Sequence, residues 1–240
     1  MRGIILAGGK GTRLFPLTKV TNKHLLPVGQ EPMIFHCVRQ MAEAGLTEVL
    51  VVTSTEHMGE IVSALGSGRE FGINLTYRVQ ETAGGIADAL ALGETFSGGE
   101  PVAVLLGDNI FAQPLAPFIQ RFRETPTGAR ILLKRVSDPE RYGVAALDEQ
   151  QVIAIEEKPR APKSDYAVIG FYQYDQTVWD IIRNVKPSPR GELEITSVNN
   201  AYITQNRLSY DIYEGAWTDA GTFESYYLAN QMMFGNLIKP

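Results

Sequence analysis

The sequence predicts an α/β fold, with a mixed, mostly parallel central sheet and helices on both faces. Three observations carry that expectation. The first two thirds alternate short, continuous apolar runs with helical patterns, as strands buried on both faces and their crossover helices do. The last third is rich in strand patterns, which extends the sheet in a mixed or antiparallel way. The 240 residues show no linker, internal repeat or low-complexity tract, so residues 1–240 read as one domain.

The elements follow in order. Ile4-Ile5-Leu6-Ala7 is a buried-strand run that ends in glycines. Met33 to Ala44 places Ile34, Val38, Met41 and Ala42 on one helical face, and Gly45 stops it. Val49–Val52 is the next strand, His57–Leu65 a short helix, Leu75–Gln80 a third strand and Ile86–Leu92 a third helix. Val102–Leu106 is the fourth strand, with Gly107-Asp108 directly after it. Strands are then expected over Ile131–Val136, Val144–Leu147, Val152–Glu156, Ala167–Tyr174 and Leu208–Tyr213. Helices are expected over Val178–Asn184, Glu194–Tyr202 and Phe223–Phe234, with Asp219 in a helical Trp217–Gly221 stretch or just before a helix. The proline-rich stretches Lys158–Lys163 and Lys186–Arg190 read as loops.

Composition excludes several classes. With 44% apolar and 20% charged residues the chain is neither disordered nor collagen-like. No apolar run reaches the roughly 18 residues that span a bilayer. The N-terminus is too short and glycine-rich for a secretory segment. A net charge of −5 argues against nucleic-acid binding but leaves room for a small anion held by local cations. The lone Cys37 sits on an apolar helix face and suits a reducing cytoplasm.

Gly8-Gly9-Lys10-Gly11-Thr12-Arg13 follows the first strand. Consecutive bare N–H groups form a concavity for phosphate oxygens, and Lys10 and Arg13 add charge. A tight turn is the plainer alternative. The dinucleotide fingerprint fails, since its third glycine would fall at Leu14, and the Walker loop fails because Lys10 precedes Gly11.

Leu6-Ala7-Gly8-Gly9-Lys10-Gly11-Thr12-Arg13-Leu14 resembles the loop of the sugar-1-phosphate nucleotidyltransferases. The resemblance continues through Asn22–Pro27, Leu106–Asn109, Arg141–Val144, Glu156–Pro159, Arg190–Thr196 and Trp217–Thr222, in the family's order. It implies a Rossmann-like fold of the nucleotide-diphospho-sugar transferase type, with a nucleotide-binding part at about 1–110 and a sugar-binding part at about 111–240. Three segments, Arg141–Val144, Glu156–Pro159 and Arg190–Thr196, are most similar to the branch that joins dTTP to glucose 1-phosphate with Mg2+. Two alternatives stay open: a relative using UTP or another hexose 1-phosphate, and a catalytically silent sugar-nucleotide sensor.

The resemblance implies the site. Leu6, Gly8, Gly9, Gly11, Thr12, Arg13, Lys23, Gln80, Gly85 and Asp108 would bind the nucleotide. Asn109, Tyr142, Gly143, Glu157, Lys158, Val168 and Arg190 would bind the sugar phosphate, and Asp108 and Asp219 the metal. Arg13, Lys23, Asp108 and Lys158 would carry catalysis. The Gln80 amide offers the donor and acceptor that a thymine or uracil edge needs. For Asp108 and Asp219 a turn or N-cap is the ordinary alternative, for Tyr142 and Val168 core packing, and for Lys158 a salt bridge to Glu157.

Four departures bear on specificity: His24 for a common Gln, Ile169 for Thr, Asp88 for Gln, and Glu81–Gly85 without the usual prolines. His24 reads as a packing residue. The chain ends soon after Trp217–Gly221, so the family's extra C-terminal helices and their regulatory site are not expected. Tyr226, Tyr227, Met232, Met233 and Phe234 make the last helix apolar, to pack on the core or to contact another copy, so a homo-oligomer stays open. Rhamnose-type deoxysugar synthesis is the family's usual destination.

Overall fold

A computed structural model describes residues 1–149 and 151–235. The chain forms β1 (Arg2–Ala7), β2 (Pro27–Val28), β3 (Glu31–Pro32), α1 (Met33–Glu43), β4 (Glu48–Ser54), α2 (Met58–Leu65), β5 (Asn74–Gln80), α3 (Ile86–Ala91) and α4 (Glu94–Ser97). It continues with β6 (Val102–Leu106), β7 (Asn109–Phe111), α5 (Ala116–Glu124), β8 (Ala129–Arg135), β9 (Gly143–Asp148), β10 (Gln151–Glu157) and β11 (Tyr166–Tyr174). The last elements are α6 (Val178–Asn184), α7 (Ile195–Thr204), β12 (Leu208–Ile212), β13 (Trp217–Asp219) and α8 (Phe223–Gly235). No helix among the described residues is long and apolar enough to cross a membrane.

Two compact units divide the chain. The first takes residues 2–83, 105–119 and 215–235. Its parallel strands lie in the order β1-β4-β5, with β1–β4 and β4–β5 paired in register. Ile4, Ile5 and Val49 to Val52 are wholly buried, which is why they read as continuous apolar runs. Met33, Ile34, Cys37, Val38 and Met41 form the buried face of α1. Each such side chain removed from water contributes about 1.5–3 kcal/mol.

Trp217–Asp219 corrects the sequence reading. These residues are not helical and do not open a helix; they pair antiparallel with β7, Trp217 against Phe111 and Asp219 against Asn109. The cap of α8 is Thr222, whose N–H donates to Ser225 Oγ while Ser225 N–H donates to Thr222 Oγ1, at 3.0 and 3.2 Å. One side of α8 packs Met232 and Met233 on Val28, Met33 and Ile110, while Tyr227 and Leu228 stay exposed.

The second unit takes Met1, 84–104 and 120–214. Here β10-β9-β11 are antiparallel, β11 neighbours β6, and β8 pairs β11 antiparallel and β12 parallel. Helix α5 was absent from the sequence reading. Ile119 and Phe122 are its buried residues, and Leu115, just before its start, continues them at helical spacing. Pro117 hides it, although proline is tolerated in a first turn because that N–H needs no partner.

Candidate active site

Strand ends meet in the first unit. Ala7 pairs with Thr53 and Ser54 with Gln80. The Gly107 N–H donates to Leu6 O at 2.9 Å, joining the ends of β6 and β1. The glycine loop leaves from this edge. Gly11 has φ +61, a conformation other residues rarely take, and a Cβ there would meet Thr18 and Lys23. Thr18 Oγ1 donates to Gly11 O at 2.9 Å and pins the loop. A Cβ on Gly8 would stand 3.0 Å from Gln80 Oε1, so the Gln80 amide lies beside the loop. Lys10 extends outward, 3.9 Å from Glu56, and Thr12 and Arg13 are exposed.

Asp108 has no cation next to it in sequence; the fold brings Lys23 from 85 residues away. Lys23 Nζ donates to Asp108 Oδ2 at 2.5 Å, and Asn109 Nδ2 donates to Oδ1 at 2.9 Å. Burial alone would raise this carboxyl's pKa. The Lys23 charge and the two donated hydrogen bonds outweigh burial and hold it well below the usual carboxylate range. Asp219 stands opposite Asn109 in the strand pair, so the two side chains share a face. Asn109 reaches Asp108, which places both aspartates at one end of β7–β13 rather than on opposite sides. Arg13 Nη2 and Asp219 Oδ2 lie 3.0 and 3.2 Å from where a Cβ on Gly221 would sit.

This donor set fits a hard divalent cation. No cluster of three or more His, Cys, Asp or Glu able to hold a metal occurs among the described residues. Magnesium takes one or two carboxylates and completes its shell with phosphate oxygens and water. Asp108 and Asp219 are the residues that would hold it.

His24 packs beneath this end. It is 1% exposed, its Nδ1 lies 2.7 Å from Asn22 Oδ1, and its Cδ2 faces Gly107. Burial and the neighbouring Lys23 push its pKa down to about 3, so it stays neutral near pH 7. Between pH 6.5 and 3 the unfolded chain binds a proton here that the native state does not. Stability is therefore intact above 6.5 and falls, by a few kcal/mol, as pH drops through that window. His24→Gln is expected to flatten this limb in urea midpoints measured from pH 7 to 4. An unchanged slope would remove His24 as its source.

The second unit gathers the remaining residues. Gly143 pairs with Glu157 on β10 and Val168 on β11. Lys158 N–H donates to Tyr142 O at 2.9 Å, and Lys158 adopts φ +45. Glu157 Oε2 accepts from Thr196 Oγ1 at 2.6 Å, and its Oε1 lies 3.5 Å from Lys158 Nζ and 3.8 Å from Arg190 Nη2. Arg190 donates through Nε and Nη2 to Glu194 Oε1 at 3.2 and 2.7 Å. Two cations and one oriented carboxylate thus converge, a set suited to a hydroxylated phosphate ester. Gly85, at φ +102, opens α3 where a Cβ would collide with the Leu193 backbone. Leu193 N–H donates to Gly84 O at 2.7 Å, so the Gly85 turn is locked to the Arg190 loop.

Leu6, Gly8, Gly9, Gly11, Thr12, Arg13, Lys23, Gln80, Asp108, Asn109 and Asp219 therefore lie in the first unit. Gly85, Tyr142, Gly143, Glu157, Lys158, Val168 and Arg190 lie in the second. Sequence reasoning missed Glu194 and Thr196, which orient Arg190 and Glu157. Both stand inside the Arg190–Thr196 segment, the one signal that could have found them.

Residues 2–234 match the family model described as Nucleotidyl transferase. A glucose-1-phosphate thymidylyltransferase of Neisseria meningitidis is 42% identical over 233 residues, covering 95% of this chain and 81% of that one. Its counterpart from an Actinoplanes species is 45% identical over 226 residues, covering 92% and 74%. A crystal structure from Bacillus anthracis, assigned as a glucose-1-phosphate thymidylyltransferase and solved with a sucrose, superposes with a TM-score of 0.94 at 53% identity, covering 97% and 95%. The fold, the order of the motifs and these matches agree: the chain belongs to the nucleotidyl transferase family.

Proposed function

We propose that this chain is a glucose-1-phosphate thymidylyltransferase, converting dTTP and α-D-glucose 1-phosphate to dTDP-glucose and pyrophosphate. The observation that carries this reading is the pairing of β7 with β13, which sets Asp108 and Asp219 at one end of the first unit with Lys23 and Arg13. A silent sensor would have no use for that intact set.

The sugar phosphate is already an anion at neutral pH. Its oxygen attacks the α-phosphorus in line, the bond to the β-phosphate bridging oxygen breaks, and the electron pair leaves on pyrophosphate. No covalent enzyme intermediate forms. The protein's task is to position two mutually repelling anions and offset the charge that develops. The Gly8–Thr12 backbone, Arg13 and Lys23 take the triphosphate, Lys23 passing from Asp108 to phosphate as the nucleotide arrives. Bound Mg2+, held by Asp108 and Asp219, would neutralise and orient phosphate oxygens. Gln80 and Gly85 read the pyrimidine. Lys158 and Arg190 hold the sugar phosphate, and Glu157, Tyr142, Gly143, Val168 and Asn109 the hexose. The buried, free Cys37 suits the reducing cytoplasm in which we place the enzyme.

A pyrophosphate-release assay with magnesium, run over dTTP, UTP and several hexose 1-phosphates, tests the reading. The thymine methyl contributes about 1 kcal/mol. Both nucleotides should turn over, with dTTP ahead by about fivefold to tenfold. Equal rates would remove the thymidylyl assignment, and no turnover with any pair would favour the sensor.

A further inference from the structure

We infer that Trp217 is a positioning residue for the Asp108 carboxylate, acting through the amide of Asn109. The inference rests on the proposed role of Asp108 as a ligand of the divalent ion.

An indole N–H can only donate. Trp217 Nε1 donates to Asn109 Oδ1 at 2.8 Å, which fixes the amide's orientation: Oδ1 faces the indole and Nδ2 faces Asp108. Nδ2 then donates to Asp108 Oδ1 at 2.9 Å. A flipped amide would set its oxygen against both a carboxylate oxygen and, at its other end, an N–H against an N–H. The chain Trp217–Asn109–Asp108 has one allowed direction, and Lys23 on Oδ2 holds the carboxylate from its other side. Trp217 and Asn109 are 8% and 4% exposed, so this contact is made largely out of bulk water. Strand pairing makes this arrangement: Trp217 lies opposite Phe111 and Asp219 opposite Asn109, so the strand that carries one proposed metal ligand also supplies the donor that orients the other. Groups that orient a metal-binding carboxylate commonly change metal affinity by 10–100-fold when removed. Asn109 is thereby assigned a task besides any sugar contact.

The test has two arms. In the first, Mn2+ affinity in the presence of dTTP is measured by electron paramagnetic resonance for Trp217→Phe, Asn109→Ala and the double variant. Trp217→Phe should weaken affinity about tenfold, and the double variant should be no weaker than Asn109→Ala alone. Additive losses, or wild-type affinity in Trp217→Phe, would overturn the inference. The second arm needs no change at Trp217. The chain has two tryptophans, and the Trp179 indole N–H is buried with no hydrogen-bond partner among the described residues, so it is an internal reference. In metal-free protein labelled with 15N at the indoles, Asp108→Asn should shift the Trp217 N–H resonance and leave that of Trp179 in place; an unmoved Trp217 signal would overturn the coupling. Wild-type Mn2+ affinity in Asp108→Asn would instead overturn the metal role of Asp108, whichever way the coupling falls.

Discussion

Asp108→Asn is expected to lower kcat by about a thousandfold or more while dTTP binding changes by less than about tenfold. The carboxylate is held ionised by Lys23 at 2.5 Å and by Asn109 at 2.9 Å, a poise suited to a divalent cation and not to proton transfer. Losing its charge removes stabilisation that matters most where charge develops, so kcat falls rather than nucleotide affinity. Because this carboxyl's pKa is depressed, it contributes stability that is present above about pH 4 and lost as pH falls toward its native value. The amide still accepts from Lys23, so the fold should survive at neutral pH with a modest loss. Steady-state kinetics, dTTP calorimetry and urea unfolding on one preparation separate these effects. Near-normal kcat would remove Asp108 from the chemistry.

Arg190→Ala and Lys158→Ala should each lower kcat/KM for glucose 1-phosphate by about a hundredfold, with the KM for dTTP within about twofold. The two cations lie 3.8 and 3.5 Å from the same Glu157 oxygen. Removing either one loses a charge-assisted contact to phosphate and also leaves Glu157 less screened against an incoming anion. Glu194 fixes the Nε and Nη2 edge of Arg190, so its guanidinium is already oriented before substrate arrives. Arg183→Ala is the control, with the same change in net charge at an exposed pair with Glu94 and Asp180, and it should leave both parameters unchanged. An equal loss in that variant would mean that overall charge, not local placement, was being read.

Runs such as Val49–Val52 and Val102–Leu106 were legible because burial on both faces demands uninterrupted apolar side chains. The helix Val178–Asn184 and the strand ending at Gln80 fall where their patterns put them. The strands Asn109–Phe111 and Trp217–Asp219 were not legible, because three residues show no period. Asp219, followed by a small residue, a glycine and a threonine, imitates a helix cap that Thr222 in fact supplies.

Patterning within the chain settled the fold class, the glycine turn after the first strand, and the residue types able to meet phosphate, because each depends on near neighbours and backbone sterics. Only the tertiary structure decided that Lys23 faces Asp108, that Asp219 stands across from Asn109, and that Glu194 and Thr196 aim Arg190 and Glu157. Coulombic and hydrogen-bonding partners act over a few ångströms. Which groups come that close is fixed by strand register and by the loops that strand ends share, neither of which has a local mark in the sequence.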